Sequence, residues 1–404
     1  MKKISTIYDK CCVKDTLLEV FCNTCSKINT PSIFDFWQGM YLLSSIFNRK
    51  VVIELDDKLY FPNLYCMFVS DNSAFLEESQ NVLENIEKTV IEDEYEFINS
   101  YTSPNSFIEM MTERTSLGLK NCIRIAVSSM DTFFKSKDSI KLITDLYYCP
   151  TNRRGYNGKN RYEFNDVYIT LSGKCTGTDY FDNIKTGHFS EEFLARTITI
   201  AGNKSKTVKE NSEGFDKLRT CIKEIQEKTK TPIFITYDSY AARLLKRLAR
   251  NNASKRYGPR PYELAIKLSG LLAINERSEK ITTEHVRNAY KLIEATYRQL
   301  NIYITKREFE ENNRQFNDAI KKILTLISSA GENGISHYEV YQKVRYYITN
   351  EEFSQIMTIL FEYNLITKYM HMNGKAIIYA PNENTDKLDN KGAVKIIKTL
   401  LNAG

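Results

Sequence analysis

The sequence predicts an α/β protein followed by a smaller α+β domain, on three observations. Apolar runs of strand length, rich in β-branched and aromatic residues, alternate with helical segments up to about residue 232. A basic helical stretch follows. Between 313 and 381, two capping-box signatures and an Asn-Gly turn outline a second module.

The 404 residues suffice for two or three domains, and 42% hydrophobic with 12% aromatic residues supply ample core. No apolar run approaches the ~18–20 residues that span a bilayer. The opening MKKISTIYDKCCVKD has two lysines but no apolar stretch behind them, which is not a signal-peptide pattern. The nine cysteines are scattered. Cys22 and Cys25 form a lone CxxC without a second pair or a histidine at zinc spacing. The expectation is a cytoplasmic protein with reduced thiols, no metal and no cofactor. A net charge of +6 is compatible with a nucleic-acid partner without requiring one.

In order, residues 1–30 read as a helical lead-in. Phe34 to Phe47 is the first strongly apolar helix, with Trp37, Tyr41, Leu42 and Ile46 at helical spacing. Val51–Leu55 and Leu59–Phe61 read as two strands about a turn at Asp56-Asp57-Lys58. Leu64–Val69 is a buried strand, Ser70-Asp71-Asn72-Ser73 a polar turn, and an amphipathic helix carries Leu76, Val82, Leu83 and Ile86. Strand, tight turn and helix make the frame of a phosphate-binding loop. Its contents differ: no glycine stands between Pro62 and the helix, no lysine appears before Lys88, and Glu77 and Glu78 occupy the places of the usual lysine and hydroxyl. Two carboxylates suit a helix N-terminus but repel a triphosphate. Taken alone, the stretch is an ordinary βα unit.

Residues 87–120 read as acidic and helical, broken at Ser103-Pro104-Asn105, with Asn105-Ser106 capping a helix from Phe107 to Glu113. Cys122–Val127 is the next buried strand. A hydrolytic site needs acids where it ends, to hold Mg²⁺-bound water and activate the attacking one. Here stand Ser128 and Ser129, with Asp131 beyond them. Asp138 to Tyr148 is a helix. The following hairpin turns at Asn157-Gly158 and mixes Arg153, Arg154, Lys159 and Arg161 with Tyr156 and Tyr162, a composition that suits a phosphate backbone with bases to stack on or a plain solvated surface. Strands are expected over Asp166–Ser172 and Thr197–Ala201, with a short helix from His188 to Arg196 between them. A polar linker covers 202–214, and a charged helix Phe215–Glu227.

From Tyr237 to Glu263 no acid separates Asp238 from Glu263, while Arg243, Lys246, Arg247, Arg250, Lys255, Arg256 and Arg260 accumulate. Amphipathic helices follow at Glu263–Ala273 and Glu284–Leu300. The small domain then reads as a helix over Phe316–Ser328, a short strand at Gly334-Ile335, and helices opened by Ser336–Glu339 and Thr349–Glu352. A hairpin with its turn at Asn373-Gly374, carrying Lys375, closes it. Helix, strand, helix, helix and wing describe a winged helix.

The order of these elements resembles a family of P-loop proteins of primase-helicase type from phages, plasmids and other mobile elements, related to MCM (minichromosome maintenance) helicases. The stretches that carry it are FWQGMYLLSSIFNRKVVIEL with LYFPNLYCMFVS, DLYYCPTNRRGYNGKNRYEFNDVYITLSGKCT, EEFLARTITI, and YGPRPYELAIKLSGLLAINERSEKITTEHVRNAYKLIE. The third is similar to a segment that ends in an arginine finger, which would fall on Arg196. The fourth is similar to MCM-type lid helices and sets Arg260 at a sensor position. The resemblance covers about residues 30–380 and implies an AAA+-like P-loop core over 31–232, a helical lid over 233–312, a winged helix over 313–381 and a tail over 382–404.

The departures decide the functional expectation. The P-loop positions hold Ser70, Asp71, Asn72, Ser73, Glu77 and Glu78, and the acid site holds Ser128, Ser129 and Asp131. The resemblance therefore implies a catalytically inactive, helicase-like DNA-binding protein, a replication or helicase-loading accessory of a mobile element. Arg196 and Arg260 would act on the site of an active helicase-type ATPase or of another copy of the chain. The alternative is a winged-helix regulator or interaction scaffold with no helicase partner; an active ATPase with an unusual site is the third reading. In the winged helix, Glu351 and Glu352 open the third helix and would face phosphates poorly, so protein and DNA are both open as its partner.

Overall fold

A computed structural model of the chain describes residues 2–25, 31–77, 81, 86, 96–100, 102–157, 160–202, 213–251, 261–362, 366–370 and 377–381. It divides into two compact units, Met1–Tyr303 and Ile304–Gly404.

The strands of the first unit are β1 (Val51–Leu55), β2 (Lys58–Tyr60), β3 (Tyr65–Ser70), β4 (Glu96–Ile98), β5 (Cys122–Val127), β6 (Asn152–Asn157), β7 (Asn160–Asn165), β8 (Tyr168–Thr176), β9 (Ile198–Ala201), β10 (Ile233–Tyr237) and β11 (Lys280–Ile281). Five of them form a sheet in the order β4-β5-β8-β3-β9, every pair parallel. Such a sheet is covered on both faces, which is why β3 and β5 are mostly apolar and buried from end to end, with Arg124 the one charged residue inside them. The chain leaves β3 for the far edge at β4, works back to β8 beside it, then crosses to β9 on its other side. That makes the carboxyl end of β3 a topological switch point, the place where parallel sheets open a crevice.

A second sheet runs β11-β10-β1-β2. Asp56 and Asp57, with φ of 50° and 59°, make the two-residue left-handed turn that joins β1 to β2. β1 pairs in parallel with β10, so this sheet joins strands from either side of position 232. Helix Ser32–Ser45 is buried at every position from Ile33 to Ser45. Its Gly39 faces Phe21 and Leu18, and a Cβ there would lie 3.1 Å from the Phe21 ring, so the missing side chain lets helix Leu17–Cys25 approach. Helix Pro261–Asn275 is buried on nearly all sides, and Gly270 admits the Ile53 side chain of β1.

The second unit contains β12 (Ile335–Ser336), β13 (Ile366–Met370) and β14 (Ile377–Pro381), an antiparallel sheet in the order β12-β14-β13. Helices His337–Val344 and Asn350–Glu362 pack on it around Ile323, Val340, Phe353, Ile356 and Leu360. Both expected capping boxes form. The Ser336 N–H donates to Glu339 at 3.2 Å, and the Thr349 N–H donates to Glu352 at 2.7 Å.

Several elements differ from the sequence expectation. The helices expected at Glu284–Leu300 and Phe316–Ser328 belong to one helix, Thr283–Ala330, since no glycine or proline interrupts it. Inside the segment read as helical over 87–120 lies β4, three residues that pair with β5 at the sheet edge. The helix after Pro104 runs from Pro104 to Ser116, and its cap is Ser103, which accepts from the Ser106 N–H, rather than Asn105-Ser106. Asn157 pairs with Asn160, which moves the hairpin connection to 158–159, outside the described residues. β10 and β11 were not expected at all. Of the linker expected over 202–214, helix Glu213–Lys228 takes the last two residues, and 203–212 lie outside the described residues, as does the tail from 382.

Replacing Gly270 by Val forces two further methyl groups into the Ile53 contact, and overpacking of this kind costs about 1–3 kcal/mol. Urea unfolding of Gly270→Val should therefore show a lowered midpoint at an unchanged slope. A variant as stable as wild type would mean that this packing is looser than the geometry implies.

Candidate functional site

Three loops meet the crevice at the carboxyl edge of the parallel sheet, following β3, β5 and β8. Each one caps a backbone N–H of its own with a side chain. After β3, the Asn72 N–H donates to the Ser70 hydroxyl at 3.1 Å and the Ala74 N–H to the Asn72 side chain at 3.0 Å, which caps the helical residues 73–77. After β5, the Thr132 N–H donates to the Ser129 hydroxyl at 3.2 Å and opens the short helix Met130–Phe133. After β8, the Asp179 N–H donates to the Thr176 hydroxyl at 3.1 Å and opens helix Gly177–Lys185. A phosphate loop offers exactly such N–H groups to its ligand. Here the chain's own hydroxyl and amide side chains hold them.

Each loop also brings a carboxylate. Asp179 accepts from the Thr176 hydroxyl at 2.6 Å. Asp131 accepts from the Asn183 amide at 2.9 Å, and the same amide donates to the Asp179 carbonyl at 2.8 Å. Asp71 and the Tyr303 hydroxyl close over Gly177, where any Cβ would collide with both. A carboxylate thus takes the favourable place at the helix N-terminus that an anionic ligand would otherwise occupy. Lys174 is buried nearby on β8. It shares the strand face of Tyr168, whose hydroxyl reaches the Ser44 carbonyl, whereas Gly173 on the other face meets Met130. Ser128 and Glu77 are exposed, and Glu78 lies outside the described residues.

Arg196 lies at the opposite edge. It precedes β9, about 16 Å of extended chain from the crevice end of that strand. Its side chain is buried, 9% exposed. Nη1 donates to the Glu192 carbonyl at 2.8 Å, the guanidinium stacks 5.1 Å from the Tyr148 ring, and Nε makes no hydrogen bond. Nearby is Lys267, which sequence reasoning did not single out. Its Nζ donates to the Asn63 side chain at 2.5 Å and lies 3.6 Å from the centre of the Tyr147 ring. Asn63 in turn donates to the Tyr147 and Ile169 carbonyls, each at 3.0 Å. The sequence held no sign of this cluster, because a lysine on an apolar helix face is visible but its distant partners are not. Arg260 lies outside the described residues.

Two candidate nucleic-acid surfaces can be compared. On the hairpin β6–β7, Arg153 pairs with Asp145 at 2.9 Å and Arg154 with Glu163 at 2.8 Å; Arg161 stands 4.0 Å from Glu163. Hydrogen bonds from Arg154 and Asn152 hold the Glu163 carboxyl below its usual range. Much of the hairpin's charge is therefore compensated. The side chain of Tyr156 and the whole of Lys159 lie outside the described residues. Helix Ser239–Asn251 buries Ala241, Leu244 and Leu245 and exposes Arg243, Lys246, Arg247 and Arg250 on its other side. Lys246 pairs with Asp56 at 2.7 Å, and Arg243 stacks 4.7 Å from Tyr240. Lys255, Arg256 and Lys375 lie outside the described residues.

A scan against protein-family models and a search of the curated proteins both return no match. Among the described residues, no group of three or more His, Cys, Asp or Glu could hold a metal ion, and no helix is long and apolar enough to cross a membrane.

Burial pushes the Lys267 ammonium from 10.5 down to about 8. Between those values the unfolded chain binds more protons than the folded one, so the stability of the folded state rises with pH across the window. Relative to Lys267→Met, wild type should gain on the order of 2 kcal/mol between pH 7.5 and 10. Parallel urea curves for the two proteins at these pH values check this; equal pH slopes would mean that Lys267 is not held in a desolvated site.

Proposed function

We propose that this protein is a catalytically inactive, helicase-like DNA-binding protein. It serves as a replication or helicase-loading accessory of a phage or mobile element, beside an active helicase-type ATPase or another copy of itself. The single observation that carries this is the state of the crevice. A parallel α/β core with its switch point at the end of β3 has the framework of a phosphate-binding protein. Yet Asp71, Asp131 and Asp179 surround that end, and side-chain caps hold its N–H groups. Three carboxylates gathered at one strand edge oppose the approach of a triphosphate.

The order of elements supports the AAA+-like part of the reading, with helices from 239 to 303 in the place of a lid. A strand, two helices and a hairpin in the second unit support the winged helix. DNA is the preferred partner because Arg243, Arg247 and Arg250 stand exposed on one helix face. The compensated arginines of the hairpin make it the weaker of the two surfaces. Arg196 lies on the edge away from the crevice, where it would serve a neighbour's site rather than its own; its burial against Tyr148 also gives it a packing role within this chain.

Two measurements on the purified protein test the proposal. Calorimetry with Mg-ATP at millimolar nucleotide should detect no binding. DNA affinity should fall with salt, and Arg243→Ala with Arg247→Ala should flatten that dependence by roughly 0.7–0.9 per lost phosphate contact. Micromolar ATP affinity, or no DNA binding at low salt, would overturn the proposal.

A further inference from the structure

The second unit carries an aromatic surface of its own. Between residues 338 and 347 the chain holds four tyrosines, and three are exposed: Tyr338 at 69%, Tyr346 at 79% and Tyr347 at 38%. Exposed rings that lie together, rather than scattered singly, mark a binding surface. Tyr338, Tyr341 and Arg345 fall at positions i, i+3 and i+7, on one side of helix His337–Val344 and its C-terminal end. Arg345 donates to the Tyr346 hydroxyl at 3.0 Å and stacks 5.0 Å from that ring's centre. Lys322 stands over the Tyr347 ring at the same 5.0 Å. Tyr341 is fixed from below by Phe353, with ring centres 5.3 Å apart.

The chemistry of the patch selects its occupant. Each of two open rings carries a cation on one side, so the surface offers flat π faces and positive charge together. Glu339 and Glu352 are engaged elsewhere, each accepting from the backbone and hydroxyl at the start of its own helix. Planar bases joined by phosphates complement such a surface, because every base stacks on an aromatic ring and every phosphate attracts Arg or Lys. In a duplex the base faces are buried in the stack, so the ligand must be single-stranded.

We infer that the Tyr338–Tyr341–Arg345–Tyr346 face of the second unit is a binding site for single-stranded nucleic acid. The inference rests on the proposed DNA-binding function and adds the substrate class and a separate place of contact. It also moves that contact away from helix Asn350–Glu362, whose first turn carries Glu351 and Glu352.

The full-length protein tests it, with a fluorescent oligothymidylate of about twenty nucleotides, longer than the ~4–16 nucleotides a single stacking domain covers. Tyr338→Ala with Tyr346→Ala should weaken binding about tenfold to a hundredfold, while Tyr346→Phe, which keeps the ring, should bind nearly as wild type. Arg345→Gln should lower the salt slope by roughly 0.7. On the unmodified protein, photo-crosslinking to an oligonucleotide containing 5-iodouracil should label peptides with Tyr338 or Tyr346. Unchanged affinity in the double variant, with crosslinks only elsewhere, overturns this site and leaves the proposed DNA-binding function standing. Loss of a protein partner in the same variant, with oligothymidylate binding intact, overturns it in favour of a protein interface. A wild-type protein that binds no DNA, single- or double-stranded, overturns both.

Discussion

The first unit depends on helix Ser32–Ser45, which is largely apolar and is covered on every side from Ile33 to Ser45. Phe34 packs edge-on against Phe68 of β3, and Trp37 donates to Thr296 at 3.0 Å. Burial of the helix leaves its last carbonyls without water. The parallel sheet supplies their donors: the Tyr168 hydroxyl reaches the Ser44 carbonyl at 2.5 Å, and Arg124 Nε the Ser45 carbonyl at 3.2 Å. A cation at a helix C-terminus is also favoured by the dipole. Sheet and helix thus complete one another, and an arginine inside a central parallel strand, at 2% exposure, has its physical reason.

With that face of the sheet sealed, chemistry is left to the strand ends, and the two ends are opposite in character. The carboxyl end gathers Asp71, Asp131 and Asp179 around capped loops. The amino end holds Lys267 and Arg196, stabilised by carbonyls and by the rings of Tyr147 and Tyr148. Anion binding at a switch point needs the reverse, with open N–H groups and a cation at the carboxyl end.

Much of this framework was legible in the sequence, for reasons that differ by element. The runs Leu64–Val69 and Cys122–Val127 announce buried parallel strands because such strands lack polar alternation. The Ser336–Glu339 and Thr349–Glu352 capping boxes are local chemistry and form where expected. Ile233–Tyr237 is obscured by the basic stretch it borders, although Ile-Phe-Ile-Thr-Tyr after Pro232 is a strand signal in its own right. The division of helix Thr283–Ala330 into two came from its polar middle, which breaks an amphipathic pattern without breaking a helix. That residues 63–77 hold no glycine and no lysine could be read directly. The closing of Asp71 over Gly177 could not, since it joins positions 106 residues apart (177 minus 71).

That last contact bears on whether this strand edge could seat a nucleotide. A loop that had lost only its glycines and lysine could regain them by substitution. Here the chain's own side chains fill the space. Asp71 lies where a Cβ on Gly177 would go, Asp131 is tied to Asn183, and Asn183 to the Asp179 carbonyl. Placing a lysine at position 77 or 78 would add one cation to a rim holding three carboxylates, and the N–H groups of Asn72, Ala74, Thr132 and Asp179 would still be taken. Each of these bonds adds a modest ~0.5–1.5 kcal/mol to folding. A phosphate would have to displace several of them at once. The bonds that close the crevice also stabilise the loops at the switch point, so rigidity of the sheet and closure of the site come from the same residues.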